Sequence, residues 1–177
     1  MRELPAGQSL LIRTDYSDDQ AWRAVVEAVN QPWDLGDGTS ARANLTIVDD
    51  QGFAGLTIQD VIALLGAERS YAFMVDDLTI TNPQPPVLAV NNNPHDPGSG
   101  RFPIMRVAPS EMAAVESNLS IGNMWFSEFA AAADRDGVFR GVQQQQYIAR
   151  ADLLGPASQS GQTEALRGFY KALVDSF

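Results

Sequence analysis

Three aspartates close three apolar runs. Asp15 follows Leu10-Leu11-Ile12, Asp49 follows Leu45-Thr46-Ile47-Val48, and Asp76 follows Tyr71-Ala72-Phe73-Met74-Val75. A second acid stands near each of them, Asp18, Asp50 and Asp77. Carboxylates gathered at the carboxyl ends of parallel strands are the hard oxygen ligands that Mg²⁺ accepts, and it needs only one or two of them beside water. A metal held there could carry a phosphoryl group, with Arg13 or Arg42 offsetting its charge. Aspartate also ends strands, closes turns and favours helix N-termini, so the same six residues fit a set of backbone caps equally well.

The elements that must position these acids begin with residues 9–50, a strand–helix–strand unit. Ser17-Asp18-Asp19-Gln20 fits a capping box, and Trp22, Val25, Val26 and Val29 follow at helical spacing. Such a unit normally lies parallel with a right-handed crossover, which puts Asp15 and Asp49 on one sheet edge. Gln31 to Arg42, with Pro32, Gly36 and Gly38, reads as a surface loop. Thr57 can cap a helix through Gly66 that turns Ile58, Val61, Ile62 and Leu65 inward, ahead of a third strand at Tyr71–Val75. Three prolines in Asn82–Pro86 exclude helix, and Val87–Val90 is a fourth strand.

Asn91 to Arg101 has the composition of an exposed loop, and Phe102–Val107 makes a fifth strand whose Pro103 asks for an edge position or a late start. A helix from Pro109 to about Asn118 follows. Asn123 can cap another, with Phe126, Phe129, Ala130 and Ala133 on one face and a stop near Gly137. The expected fold is α/β, a small mostly parallel sheet of about five strands with flanking helices over residues 1–142.

Residues 143–160 are Gln-, Gly- and Ser-rich and read as a linker. Residues 161–177 read as a C-terminal amphipathic helix. Leu166, Phe169, Tyr170, Leu173, Val174 and Phe177 form one apolar stripe, with Arg167, Lys171 and Asp175 on other faces. A helix of that length is marginal alone in water, so the stripe needs a cover, either its own domain or a partner chain.

Charge and composition narrow the chemistry. Twelve Lys and Arg against twenty-two Asp and Glu give −10, which disfavours nucleic acid and anionic membrane and favours a basic partner. No cysteine means no thiolate nucleophile and no Cys-based metal site. The single histidine, His95, lies in a polar Asn- and Pro-rich run that reads as a solvated loop. Neither a nucleophile elbow, a phosphate-binding loop nor a dinucleotide fingerprint is found. No signal-like leader or membrane-length apolar run is found either, so the expected compartment is the cytoplasm. The single lysine, Lys171, beside eleven arginines matches a bias associated with high-GC bacterial genomes.

Asn118, Ser120 and Asn123 stand between apolar neighbours, where they could line a pocket or cap and join two helices. Trp22, Trp33, Trp125, Phe126 and Phe129 read as core and rim, because no basic residues alternate with them as a stacking platform requires.

Val115-Glu116-Ser117-Asn118-Leu119-Ser120-Ile121-Gly122-Asn123-Met124, then Phe126, Glu128-Phe129 and Asp136 to Gly141, resembles the end of a bacterial family of unknown function, DUF6924. Leu10 to Asp18 and Val48-Asp49-Asp50 resemble it too, so the likeness spans about residues 8–141. It implies no activity. Two positions depart from the family pattern: Trp125 stands where an acid is expected, and Asn91 ends the fourth strand in place of an acid, which would make a metal edge poorer.

The expected function is an acidic, non-enzymatic protein–protein interaction module. It would be an accessory subunit or immunity-like binder that docks through its C-terminal helix, without a cofactor, onto a protein partner or a second copy. The competing expectation is a Mg²⁺-dependent phosphoryl-handling enzyme with Asp15, Asp49 and Asp76 as ligands.

Overall fold

The computed structural model describes residues 3–7, 9–34 and 38–141. Its first strand, β1 (Leu10–Arg13), is apolar at three successive positions because both its faces are covered. Burying each of these side chains contributes about 1.5–3 kcal/mol before the entropy of ordering it is counted. The chain then turns into α1 (Asp19–Val29), which buries Trp22, Val25 and Val29. The cap of this helix is Asp18, whose carboxylate accepts from the Gln20 and Ala21 amides at 2.7 and 2.9 Å. Ser17 is not the cap expected of it. Its amide and hydroxyl donate instead to Asp15.

Within the stretch read as a loop, β2 (Trp33–Asp34) and β3 (Ser40–Ala41) pair antiparallel. Next come β4 (Thr46–Val48) and α2 (Ile58–Leu65), which Thr57 and Asp60 open with the reciprocal bonds of a capping box. β5 (Tyr71–Val75) is wholly buried. It runs into a short helix that the reading of the sequence lacks, α3 (Asp77–Thr81), capped by Asp76. The chain continues through β6 (Val87–Asn91), β7 (Ile104–Val107), α4 (Met112–Ser120) and α5 (Phe126–Ala132) to β8 (Val138–Phe139). The cap position of α5 is Trp125, not Asn123.

The fold is α/β with a mostly parallel sheet. Among the described residues the sheet has six strands in the order β4-β1-β5-β6-β7-β8. Only β6 runs against the others. Two expectations change here. Because β8 pairs with β7, the late start of β7 at Ile104 accommodates Pro103 and no edge position is needed. Because β6 is antiparallel, Asn91 lies opposite Tyr71 at the far edge of the sheet and has no bearing on the aspartate edge.

Alternation along the strands sorts the core into two clusters. Leu11, Phe73, Val75, Val87, Ala89 and Val107 face α1, α3, α4 and α5. Leu10, Ile12, Ala72, Met74, Leu88 and Val90 face α2 and the turn holding Phe53. The sheet is therefore the middle of three layers, and the carboxyl ends of β1, β4 and β5 emerge together between helix starts.

Candidate functional site

That emerging edge carries Asp15, Asp49 and Asp76 as the strand order requires, but each is engaged separately. Asp15 takes the Ser17 amide at 2.7 Å and closes the turn into α1. Asp49 accepts from Arg13 at 3.3 Å and from the Trp22 indole at 2.9 Å. Asp76 caps α3 through Thr79 and binds Arg106. Of the neighbours, Asp18 caps α1 and Asp50 caps the turn at Gln51–Phe53. Among the described residues no three His, Cys, Asp or Glu side chains form a group that could hold a metal ion. The aspartates thus do not fit the Mg²⁺ set expected of them.

Two arginines organise this edge. Arg13 is buried to its tip, with its guanidinium carbon 4.2 Å above the Tyr16 ring and 5.3 Å from that of Trp22. It donates to Asp19, Asp49 and the Asp15 carbonyl. Burial works against its charge, yet the Asp19 and Asp49 bonds hold its pKa above the ordinary value. The Tyr16 hydroxyl is buried beside this group with no hydrogen-bond partner. Its phenol is pushed up to about 12, by burial first and then by the Asp49 charge.

Arg106 comes from β7 and crosses the start of β6. It places Nη1 3.0 Å and Nη2 2.6 Å from the two Asp76 oxygens, and Nη1 3.0 Å from the Pro86 carbonyl. Reading the sequence missed this arginine. Its only signal is a charged residue between inward Met105 and Val107.

The opposite edge holds a second polar group. Glu116, in α4, is buried, accepting from Ser9 Oγ at 2.6 Å and from the Asn44 amide at 3.0 Å. Ser9 Oγ lies 2.7 Å from the Tyr71 hydroxyl. With its one proton on Glu116, Ser9 must accept from Tyr71, so the chain of donors runs from Tyr71 through Ser9 to Glu116. Burial raises the Tyr71 pKa above its usual range. Tyr71 also lines a depression of about 300 Å³ with Gly7, Glu68, Arg69, Ser70 and Leu119.

The residues that carried the family likeness have structural duties here. The Asn118 side chain donates to the Ala114 carbonyl and accepts from Asn123, joining α4 to the turn that follows. Glu128 takes the Trp125 amide, and Asp136 forms a two-point ion pair with Arg140. The apolar stripe Leu166, Phe169, Tyr170, Leu173, Val174 and Phe177 lies outside the described residues. No helix among the described residues is long and apolar enough to cross a membrane.

Residues 8–142 match the family model described as Domain of unknown function (DUF6924). No curated protein matches the chain.

Proposed function

The chain belongs to the DUF6924 family, whose description assigns no activity, and we propose that it is an acidic, non-enzymatic protein–protein interaction module of the cytoplasm. It docks through its C-terminal segment, residues 161–177, onto a protein partner of basic character, as an accessory subunit or an immunity-like binder would. The observation that carries the reading is the distribution of charge. Residues 1–141 hold nineteen acids and nine arginines, and residues 142–177 hold three acids and three bases. The whole −10 therefore sits on the domain, and the segment bearing the apolar stripe is neutral. A negative domain steers a basic partner toward it over a distance of about 8–10 Å in physiological salt, and a neutral amphipathic helix supplies short-range apolar contact.

The engagement of the edge aspartates supports the same reading. They cap helices and pair with Arg13 and Arg106, which are duties of a scaffold. The test is affinity capture from the native host with the full chain and with a chain ending at Leu154, whose fold is checked by circular dichroism. A basic protein held by the full chain, lost on truncation and weakened by salt, is the expected result. No partner at physiological salt, or equal capture by the folded truncation, overturns it.

A further inference from the structure

The two edges of the sheet differ in what they leave open. At the β8 edge the Gly137 and Phe139 carbonyls accept from the Arg106 and Ala108 amides, so Val138 turns its own backbone groups outward. Both are closed within the chain. The Val138 carbonyl accepts from the Asp134 amide at 3.0 Å, and the Val138 amide donates to Asp136 Oδ1 at 3.1 Å.

The β4 edge has no such closure. The Thr46 amide donates to the Ser9 carbonyl at 2.8 Å, and β4 pairs in parallel with β1 from Thr46 to Val48. Strand alternation then turns the Ile47 N–H and C=O away from β1, and among the described residues neither has a partner. The Ile47 side chain is 38% exposed beside them. Such an edge is a template for one more strand unless lysine, proline or a bulge blunts it. Here only shortness does so: β4 is three residues long, and all three are β-branched.

We propose that the β4 edge takes an extended, basic segment of the partner as an added antiparallel strand. The claim rests on the reading of that partner as basic. Charge selects the occupant. Asp49 follows β4 on the face of Ile47 with its side chain 43% exposed, and Asp50 is exposed next to it. The one Arg13 guanidinium is shared between Asp49 and Asp19, so the carboxyl end of β4 keeps a negative excess. A second copy brings the same acids and the same −10, and is repelled.

Pairing fixes the signature of the segment. In an antiparallel strand the residue opposite Ile47 exchanges both backbone bonds with it, and the residue two places earlier comes beside Asp49 on the same face. The segment therefore carries an apolar residue preceded, two places earlier, by lysine or arginine. An edge of three residues supplies few bonds, so pairing without that charge stays weak.

The probe is an acetylated and amidated heptapeptide, Thr-Lys-Thr-Val-Thr-Lys-Thr, added to the full, ¹⁵N-enriched chain at low salt. The Ile47 amide should move downfield and exchange with water about tenfold more slowly, and both effects should fade as salt is raised. The peptide with glutamate in place of lysine, or with an N-methyl group on its valine, should do neither. Ile47→Lys, at an exposed position, should abolish the response while the β5 amides stay in place. No change at Ile47 with millimolar peptide overturns the proposal. So does an equal response to the N-methyl peptide, and so do shifts spread over the surface acids with none at Ile47, which would be counterion attraction only. A partner captured alike by the parent chain and by Ile47→Lys keeps the proposed function and removes this edge from it.

Discussion

Arg106 and Asp76 meet across an intervening strand. The arginine starts on β7, the aspartate ends β5, and β6 lies between them, so one ion pair ties three strands at their common edge. Both side chains are about one-fifth exposed, a setting in which water screens the pair far less than at the surface.

The pair makes stability pH-dependent in a definite direction. Burial alone would raise the Asp76 pKa, but Arg106 and Thr79 outweigh it and hold the folded value below the ordinary 3.8. The stabilisation is therefore complete above the unfolded pKa and disappears as pH falls through the lower, folded one. Asp76→Asn should cost about 2 kcal/mol near pH 7, seen as a lower urea midpoint with an unchanged slope. The difference from the parent chain should shrink steadily below about pH 4. A constant difference down to pH 2 would show that the pair does not carry this stability.

The donor chain at the opposite edge predicts a coupling. Glu116→Gln lets the amide oxygen keep the Asn44 N–H, but its NH₂ must donate to Ser9, which turns Ser9 toward Tyr71 and leaves the Tyr71 hydroxyl proton without its acceptor. Tyr71→Phe should cost about 1 kcal/mol in the parent chain and less in Glu116→Gln, where the hydroxyl oxygen still accepts from Ser9 but its own proton has no acceptor. Denaturant melts of the four members of that cycle give the coupling directly. Additive losses would mean that the hydroxyl does not donate along this path.

The cap of α1 distinguishes two neighbouring residues. Asp18→Ala removes the acceptor of two helix amides and should cost about 1 kcal/mol, whereas Ser17→Ala removes one exposed side-chain bond and should cost only a few tenths. Thermal melts of the two variants, compared at one pH, decide the assignment. A larger loss for Ser17→Ala would reverse it.

The strands and their aspartates are legible in sequence because Leu10–Ile12 and Tyr71–Val75 are buried on both faces and therefore read as unbroken apolar runs. Very short elements are not. α3 has five residues and β8 two, fewer than any periodicity needs to show itself, and both are held by pairing or packing with distant parts of the chain. Ser17 misleads for a local reason: the Asp18 carboxylate takes the orphan amides of Gln20 and Ala21, and the Ser17 hydroxyl is turned away to donate to Asp15.

The expected metal edge illustrates a different limit. Topology brings Asp15, Asp49 and Asp76 to one side, but Asp15 is taken by its neighbour Ser17, and the partners of Asp49 and Asp76 are Arg13, Trp22 and Arg106, whose reach follows from strand order and from the reversal at β6. Glu116 is hidden for the same reason. Within its own helix it is one acid between Val115 and Ser117, and its burial is explained only by Ser9 and Asn44, 107 and 72 residues earlier.

That separation bears on synthesis. Ser9 and Asn44 leave the ribosome early, and the carboxylate that satisfies both belongs to a helix made much later. Until α4 has emerged, the Ser9 hydroxyl ahead of β1 and the Asn44 amide ahead of β4 lack their acceptor, and closing so long a loop carries its own entropy. β1 and β4 can meet on the nascent chain, but their amino-terminal ends stay wet. The order of translation thus delays the sealing of this edge until two-thirds of the polypeptide exists, and a chain stalled before Glu116 remains open there to chaperone or protease.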